Sequence, residues 1–232
     1  MSADRANVPA FDDHGNNLAD PHDRLGRKSD YIQLLQQRAL EKYLKPGTGY
    51  ALDVGCGLGR MGEALGRIGY SVVGLDPSLR ILRAMPEKSR YAGILNASLP
   101  QLPFRDESFD LVCLFGVARM TLLLGKADIC RSAPRLVKPG GQLAVIDNLK
   151  VGDGRYLQEP WFDETFARNG LRRVLKLPIR NSRWPVVYLI RYGLIPTHWL
   201  AAIAEWELKR MAKKRMPSRL SYYNYLFIYE KS

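Results

Sequence analysis

Leu52-Asp53-Val54-Gly55-Cys56-Gly57-Leu58-Gly59-Arg60 is the stretch that decides the fold. A short apolar run ends in glycines at alternate positions, which lets the backbone turn sharply and approach a ligand without a Cβ in the way. A helical pattern with Met61, Leu65 and Ile68 follows, and the first turn of a helix offers backbone N–H groups that have no partner within the helix. A strand, a glycine turn and a helix N-terminus make a nucleotide-type site at the carboxyl edge of a parallel sheet. The reading has two branches at this point. Gly57-Leu58-Gly59-Arg60-Met61-Gly62 also satisfies the dinucleotide fingerprint G-x-G-x-x-G, with Asp76 following about 20 residues on. In either branch Asp76, at the tip of the next strand, can accept hydrogen bonds from ribose hydroxyls.

Outward from this turn the chain alternates. Upstream, Asp30 and Gln33 resemble a capping box, and Tyr31, Leu34, Leu35, Ala39 and Tyr43 recur at helical spacing until Lys45-Pro46-Gly47. Downstream, the pattern predicts strands at Tyr50 to Val54, Tyr70 to Leu75, Tyr91 to Leu95, Phe109 to Phe115 and Gln142 to Asp147. Between them lie a helix capped by Ser78 and one from about Lys126 to Val137. Alternating strands and helices mean right-handed βαβ crossovers and a mostly parallel sheet covered by helices on both faces. Asp163 to Asn169 reads as a helix closed by Gly170, Arg173 to Leu177 as a sixth strand and Asn224 to Tyr229 as a seventh. The expected architecture is therefore a loose arm over 1–26 and one α/β domain over 27–232, with a helical insert at 179–221 before the last strand. That insert is far longer than the usual connection of about 2–6 residues.

With 232 residues, the chain is long enough for one sizeable core and short for two domains. Three cysteines (Cys56, Cys113, Cys130) lie far apart with no C-x-x-C pair, which argues against a zinc site or a disulfide framework and suits a reducing cytoplasm. The first residues lack the basic start and apolar core of a signal peptide. The longest apolar stretch, Trp184 to Ala204, is interrupted by Arg191, Gly193, Pro196 and His198, so no spanning helix is expected and the protein reads as cytoplasmic. A net charge of +12 points to nucleic acid, an anionic membrane surface or an acidic substrate, or marks a soluble protein of high pI.

Further motifs separate the two branches. Val73-Gly74-Leu75-Asp76-Pro77-Ser78, then Asn96-Ala97 with Leu102 to Val112, then Val137-Lys138-Pro139-Gly140-Gly141, follow Asp53 to Gly59 in order. Over about residues 50–147 the sequence resembles the class I S-adenosylmethionine-dependent methyltransferases, especially their small-molecule and lipid group. The resemblance implies a Rossmann-like, seven-stranded, mostly parallel sheet and S-adenosylmethionine as cofactor. It also implies that Asp53 positions the methionine moiety and that Gly55, Cys56, Gly57 and Gly59 line the backbone path beside it. Asp76 would bind the ribose, Pro77, Asn96 and Ala97 would meet the adenine, and the backbone at Phe115 would close the pocket. Two positions depart from the pattern. Asn96 stands where the family usually has an acid, although an amide oxygen can also accept from the adenine amino group. Pro134 falls inside a helix, where it removes a hydrogen bond and kinks the chain.

A catalytic residue is not announced; His198 and Asp147 are the weak candidates for a base. The insert holds Trp184, Tyr188, Tyr192, Trp199 and Trp206, then a basic cluster over Lys209–Arg215. It is expected to roof a small-molecule, lipid-linked or glycan-type acceptor, with the cluster 209–215 in peripheral contact with an anionic membrane. The opposing reading is a solvated basic helix whose aromatics pack into the main core. A nicotinamide-dependent oxidoreductase is the alternative enzyme, but the chain has no Tyr-x-x-x-Lys pair. A basic nucleic-acid-binding protein is the non-enzymatic alternative; no recognised motif supports it, so no nucleic acid is expected.

Overall fold

The computed structural model describes residues 23, 25–86, 90–97, 102–118, 128–150, 152–153, 156, 158–213 and 221–232. Seven strands form one sheet: β1 (Tyr50–Val54), β2 (Ser71–Asp76), β3 (Gly93–Asn96), β4 (Phe109–Phe115), β5 (Val137–Leu149), β6 (Leu171–Asn181) and β7 (Tyr223–Lys231), in the order β3-β2-β1-β4-β5-β7-β6. β1 to β5 pair in parallel, while β7 runs antiparallel to both β5 and β6. The central strands are mostly apolar because both faces are covered: Leu111, Val112, Cys113 and Leu114 are all fully buried in β4. The expected Rossmann-like sheet is what the chain forms.

One face packs β1, β4, β5 and β7 against α5 (Glu159–Ala167) through Phe162, Phe166 and Phe227. The other face packs against α1 (Arg27–Tyr43), α2 (Gly62–Arg67), α6 (Pro185–Arg191) and α7 (Leu200–Ala212). α3 (Leu79–Arg83) follows β2, and Ser78 caps it by accepting from the Ile81 N–H at 3.3 Å.

Several boundaries differ from the sequence reading. Asp30 does not cap α1; the helix starts at Arg27, and the carboxylate of Asp23 accepts from the N–H groups of Lys28 and Ser29 and from the Ser29 hydroxyl. Asp23 is fully buried, and apart from it only Leu25 and Gly26 of the expected arm over 1–26 fall among the described residues. The helix before β5 does not run on to Val137: α4 (Asp128–Ser132 among the described residues) gives way to a 3-10 turn over Ala133–Leu136, with Pro134 where the change occurs. The missing proline N–H explains that switch. β6 is longer than expected and contains Pro178, which this edge strand tolerates at a register shift between Pro178 and Arg180.

Among the described residues of the insert, α6 and α7 lie against α1 and β6, so they are a layer of the fold itself. Trp184 is buried and stacks on Trp206 with ring centroids 5.7 Å apart. The Arg210 guanidinium lies over both rings, so it is not a free member of the basic cluster expected over 209–215. Residues 214–215 of that cluster lie outside the described residues. No helix among the described residues is long and apolar enough to cross a membrane.

Candidate active site

The carboxyl ends of β1, β2 and β4 converge on the glycine turn. Gly55 and Cys56 both donate their N–H to the Leu75 carbonyl of β2, at 2.7 and 3.0 Å. Gly55, Gly57 and Gly59 all have positive φ, which an L side chain resists by about 1–2 kcal/mol. A Cβ on Gly55 would also lie 2.6 Å from a methyl of Val117. A Cβ on Gly57 would meet no atom within 4 Å, so that flank of the turn is open space a ligand can fill.

Asp76 closes the turn from the neighbouring strand. One carboxylate oxygen accepts from the Gly57 N–H at 3.0 Å and the other from the Ser78 N–H at 2.9 Å. The acid that ends β2 therefore holds the glycine turn after β1 in place. Pro77 beside it is exposed. Asn96 ends β3 level with Asp76 and donates its side-chain amide N–H to the Asp76 carbonyl at 3.0 Å. Ala97 packs partly buried against the core next to it. Phe115 ends β4, and Gly116 turns the chain with φ +74° while donating to the Ile146 carbonyl at 2.7 Å. The structure thus brings Gly55, Cys56, Gly57, Gly59, Asp76, Pro77, Asn96, Ala97 and Phe115 to one edge of the sheet.

Asp53 lies beneath this surface, 2% exposed in the last turn of β1. Burial pushes its carboxyl up to about 6; a hydrogen bond from the Tyr91 hydroxyl works against that rise, and the nearby Asp76 charge adds to it. Tyr91 was read only as the start of a strand. Its place is made by Gly74, where any Cβ would sit 2.9 Å from both the Tyr91 ring and the Cys56 sulfur. The sequence signal was a glycine in the middle of an otherwise β-branched strand, which marks a close approach. Burial raises the Cys56 and Cys113 thiols well above their ordinary range, as suits packing residues rather than nucleophiles.

α1 reaches the same site from the opposite side. Gln33 and Gln37 both donate to the Arg60 carbonyl, at 3.2 and 2.6 Å, and Gln36 donates to Asn224 of β7. None of these glutamines was picked out as a site residue, because a polar residue on a helix reads as solvated until its partner is known.

The two candidate bases lie apart. Asp147 is 2% exposed in β5 and accepts from the Asn148 N–H at 2.7 Å. Its charge reaches Cys130 on the α5 side of the sheet. His198 is exposed on a 3-10 turn over Thr197–Trp199, with its ring edge-on to Trp199 at 6.0 Å.

A family model described as a methyltransferase domain matches residues 52–145. The chain is 39% identical over 106 residues to a demethylmenaquinone methyltransferase of Listeria welshimeri, covering 41% of this chain and 43% of that one. It is 32% identical over 140 residues to a demethylmenaquinone methyltransferase of Tropheryma whipplei, covering 57% and 56%. The chain therefore spans about half the length of the curated relatives it matches. In fold it is similar to the geranyl diphosphate C-methyltransferase of Streptomyces coelicolor, with a TM-score of 0.57 at 14% identity over 88% of this chain and 79% of that one. Strand order and matched stretch agree: over residues 52–145 the chain is similar to methyltransferase domains, and its sheet has the fold of the solved methyltransferase it resembles.

Proposed function

We propose that the protein transfers the methyl group of S-adenosylmethionine to a small apolar acceptor, lipid-linked or quinone-like, and that the open turn at Gly57 braced by Asp76 binds the cofactor. The observation that supports this best is the pair of hydrogen bonds from Gly57 and Ser78 to Asp76, which fix a carboxylate beside the open turn. When bound, the cofactor would supply an activated methyl, its S–CH3 bond giving way to an acceptor–CH3 bond, with the acceptor's displaced proton passing to solvent and S-adenosylhomocysteine as the other product. The chain's part is chiefly positioning, which can supply much of the rate. Asp76 takes the ribose hydroxyls, Asn96 presents its amide oxygen to the adenine amino group, and Pro77 lies against the ring. Gly55, Cys56, Gly57 and Gly59 let the main chain pass beside the methionine part, and Phe115 bounds the pocket. The segment 179–213 borders the acceptor side. It leaves β6 at Asn181, level with Tyr223 of β7 and Leu149 of β5, on the edge where β1, β2 and β4 end. The acceptor class follows the name of the relatives and the aromatic character of that segment. Incubating the protein with S-adenosylmethionine and demethylated quinone acceptors tests it: a product heavier by one methylene supports the reading, and cofactor bound without transfer to any apolar acceptor overturns the acceptor class.

Asp53 lends the site a pH dependence. Its carboxylate is placed to favour the positively charged amino group of the cofactor, so binding requires the ionised form. With a carboxyl pushed up to about 6, affinity holds above that pH and falls as pH drops through it, by up to about tenfold per unit. Calorimetry from pH 8 to 5, with circular dichroism confirming the fold, checks this; a flat profile rejects the role.

Tyr91→Phe removes the one hydrogen bond that lowers the Asp53 pKa. The loss of cofactor affinity in that variant should begin at a higher pH than in the parent, with little change at pH 8. An unshifted profile would show that the hydroxyl serves packing alone.

A further inference from the structure

We propose that the exposed aromatic face of α6 and α7 is a docking surface for an anionic lipid bilayer. Along α7 the residues Trp199, Ala202, Trp206, Lys209 and Lys213 recur at helical spacing and are all exposed, so two tryptophans lead directly into two lysines on one stripe. Trp199 and Trp206 are 58% and 55% exposed, although large aromatics on a helix layer normally turn inward. A second exposed group precedes it in the chain: Tyr192 and Leu194 flank Gly193, are 65% and 69% exposed, and lie next to α1, since a Cβ on Gly193 would touch the Arg27 guanidinium at 2.7 Å.

Charge selects the occupant. Residues 182–213 hold five cations (Arg183, Arg191, Lys209, Arg210, Lys213) against two carboxylates, Glu205 and Glu207, and Glu207 is fully buried. An amphipathic surface with tryptophan, tyrosine and leucine on one side and lysines beside them suits the boundary between headgroups and acyl chains, where the rings sit at headgroup depth and the lysines meet lipid phosphates. A second copy of the chain would bring like charges together. The face departs from the expectation in its composition: the exposed rings carry the contact and only Lys209 and Lys213 of the described basic cluster remain beside them, because Arg210 is folded over Trp184 and Trp206.

Vesicle co-sedimentation tests the surface without any turnover, so this inference and the acceptor proposal can fail separately. The full chain should bind phosphatidylglycerol–phosphatidylcholine vesicles, more weakly as salt rises, and bind pure phosphatidylcholine at least about tenfold less. Lys209→Glu with Lys213→Glu, and separately Tyr192→Ser with Trp199→Ser, should each reduce binding at least about tenfold. Cofactor affinity and Tm serve as controls for folding. Three results would overturn the proposal: no binding by the parent chain, equal binding to neutral and anionic vesicles, or a stable dimer in light scattering that Tyr192→Ser with Trp199→Ser dissolves.

Discussion

Asp76→Ala is expected to weaken S-adenosylmethionine binding by about two orders of magnitude and to leave the fold intact. Hydrogen bonds to a charged group contribute roughly 1.5–3 kcal/mol each. Two ribose hydroxyls lost at once, even at the low end, amount to about 3 kcal/mol, or about a hundredfold in Kd. A further loss comes from the turn, since the Gly57 N–H no longer has its acceptor and that part of the site becomes less ordered. Stability responds less. Asp76 lies close enough to buried Asp53 to raise its pKa, so removing one of two like charges offsets part of the lost hydrogen bonding to Gly57 and Ser78. Asp76→Asn should fall between alanine and the parent, because an amide keeps one acceptor oxygen but presents a donor on the other side. Isothermal titration with S-adenosylmethionine, beside thermal melts, separates the two effects. Unchanged affinity in the alanine variant would remove the ribose from Asp76 and with it the cofactor site proposed at this turn.

The sequence made this site legible because it is built from local features. Glycines at fixed spacing, a strand that ends in an acid and a proline directly after it all fall within short windows, and the parallel sheet brings those windows side by side through β1 and β2. Asn96, one residue past the expected third strand, was visible only through the family resemblance, and it is the last residue of β3. Tyr91 was not visible, because its role is a contact across the sequence to Asp53, and only the absence of a side chain at Gly74 hinted at it. The insert left two readings open in a similar way. Its aromatics suggested a cover, and composition cannot say which face of a helix meets the core. Trp184 and Trp206 stack together, yet one is buried and the other 55% exposed, a difference set by how α6 and α7 lie against α1. Asp23 rather than Asp30 accepts from the first-turn N–H groups of α1 for the same reason: the helix extends four residues further back than its apolar period shows.

Glu207→Ala should lower the melting temperature by on the order of 10 °C while leaving the cofactor affinity of the folded protein unchanged. Glu207 is fully buried on α7 and accepts from the Tyr31 hydroxyl of α1 at 2.7 Å, a contact between segments 176 residues apart. Arg180, 5% exposed at the end of β6, and Arg210 flank it, and N–H groups of both guanidiniums are buried without a hydrogen-bond partner. Taking the carboxyl away strands those cations, and breaking a buried pair by removing one partner costs roughly 3–5 kcal/mol. Yet the carboxyl is not a simple ion-pair partner. Burial pushes it up to about 7, against the pull of the Tyr31 hydrogen bond, the two arginines and the Asn181 N–H. A carboxyl whose folded pKa is raised above the unfolded value stabilises most at low pH, so its contribution declines as pH rises from about 4.5 through about 7. Glu207→Gln keeps the oxygen that faces Tyr31 and nearly the same volume but cannot ionise. That variant should melt near the parent at pH 5 and as high or higher at pH 8, while the alanine variant melts lower at both. A glutamine variant as unstable as the alanine one at pH 8 would show that the negative charge itself, rather than a neutral hydrogen-bonding group, joins α7 to α1.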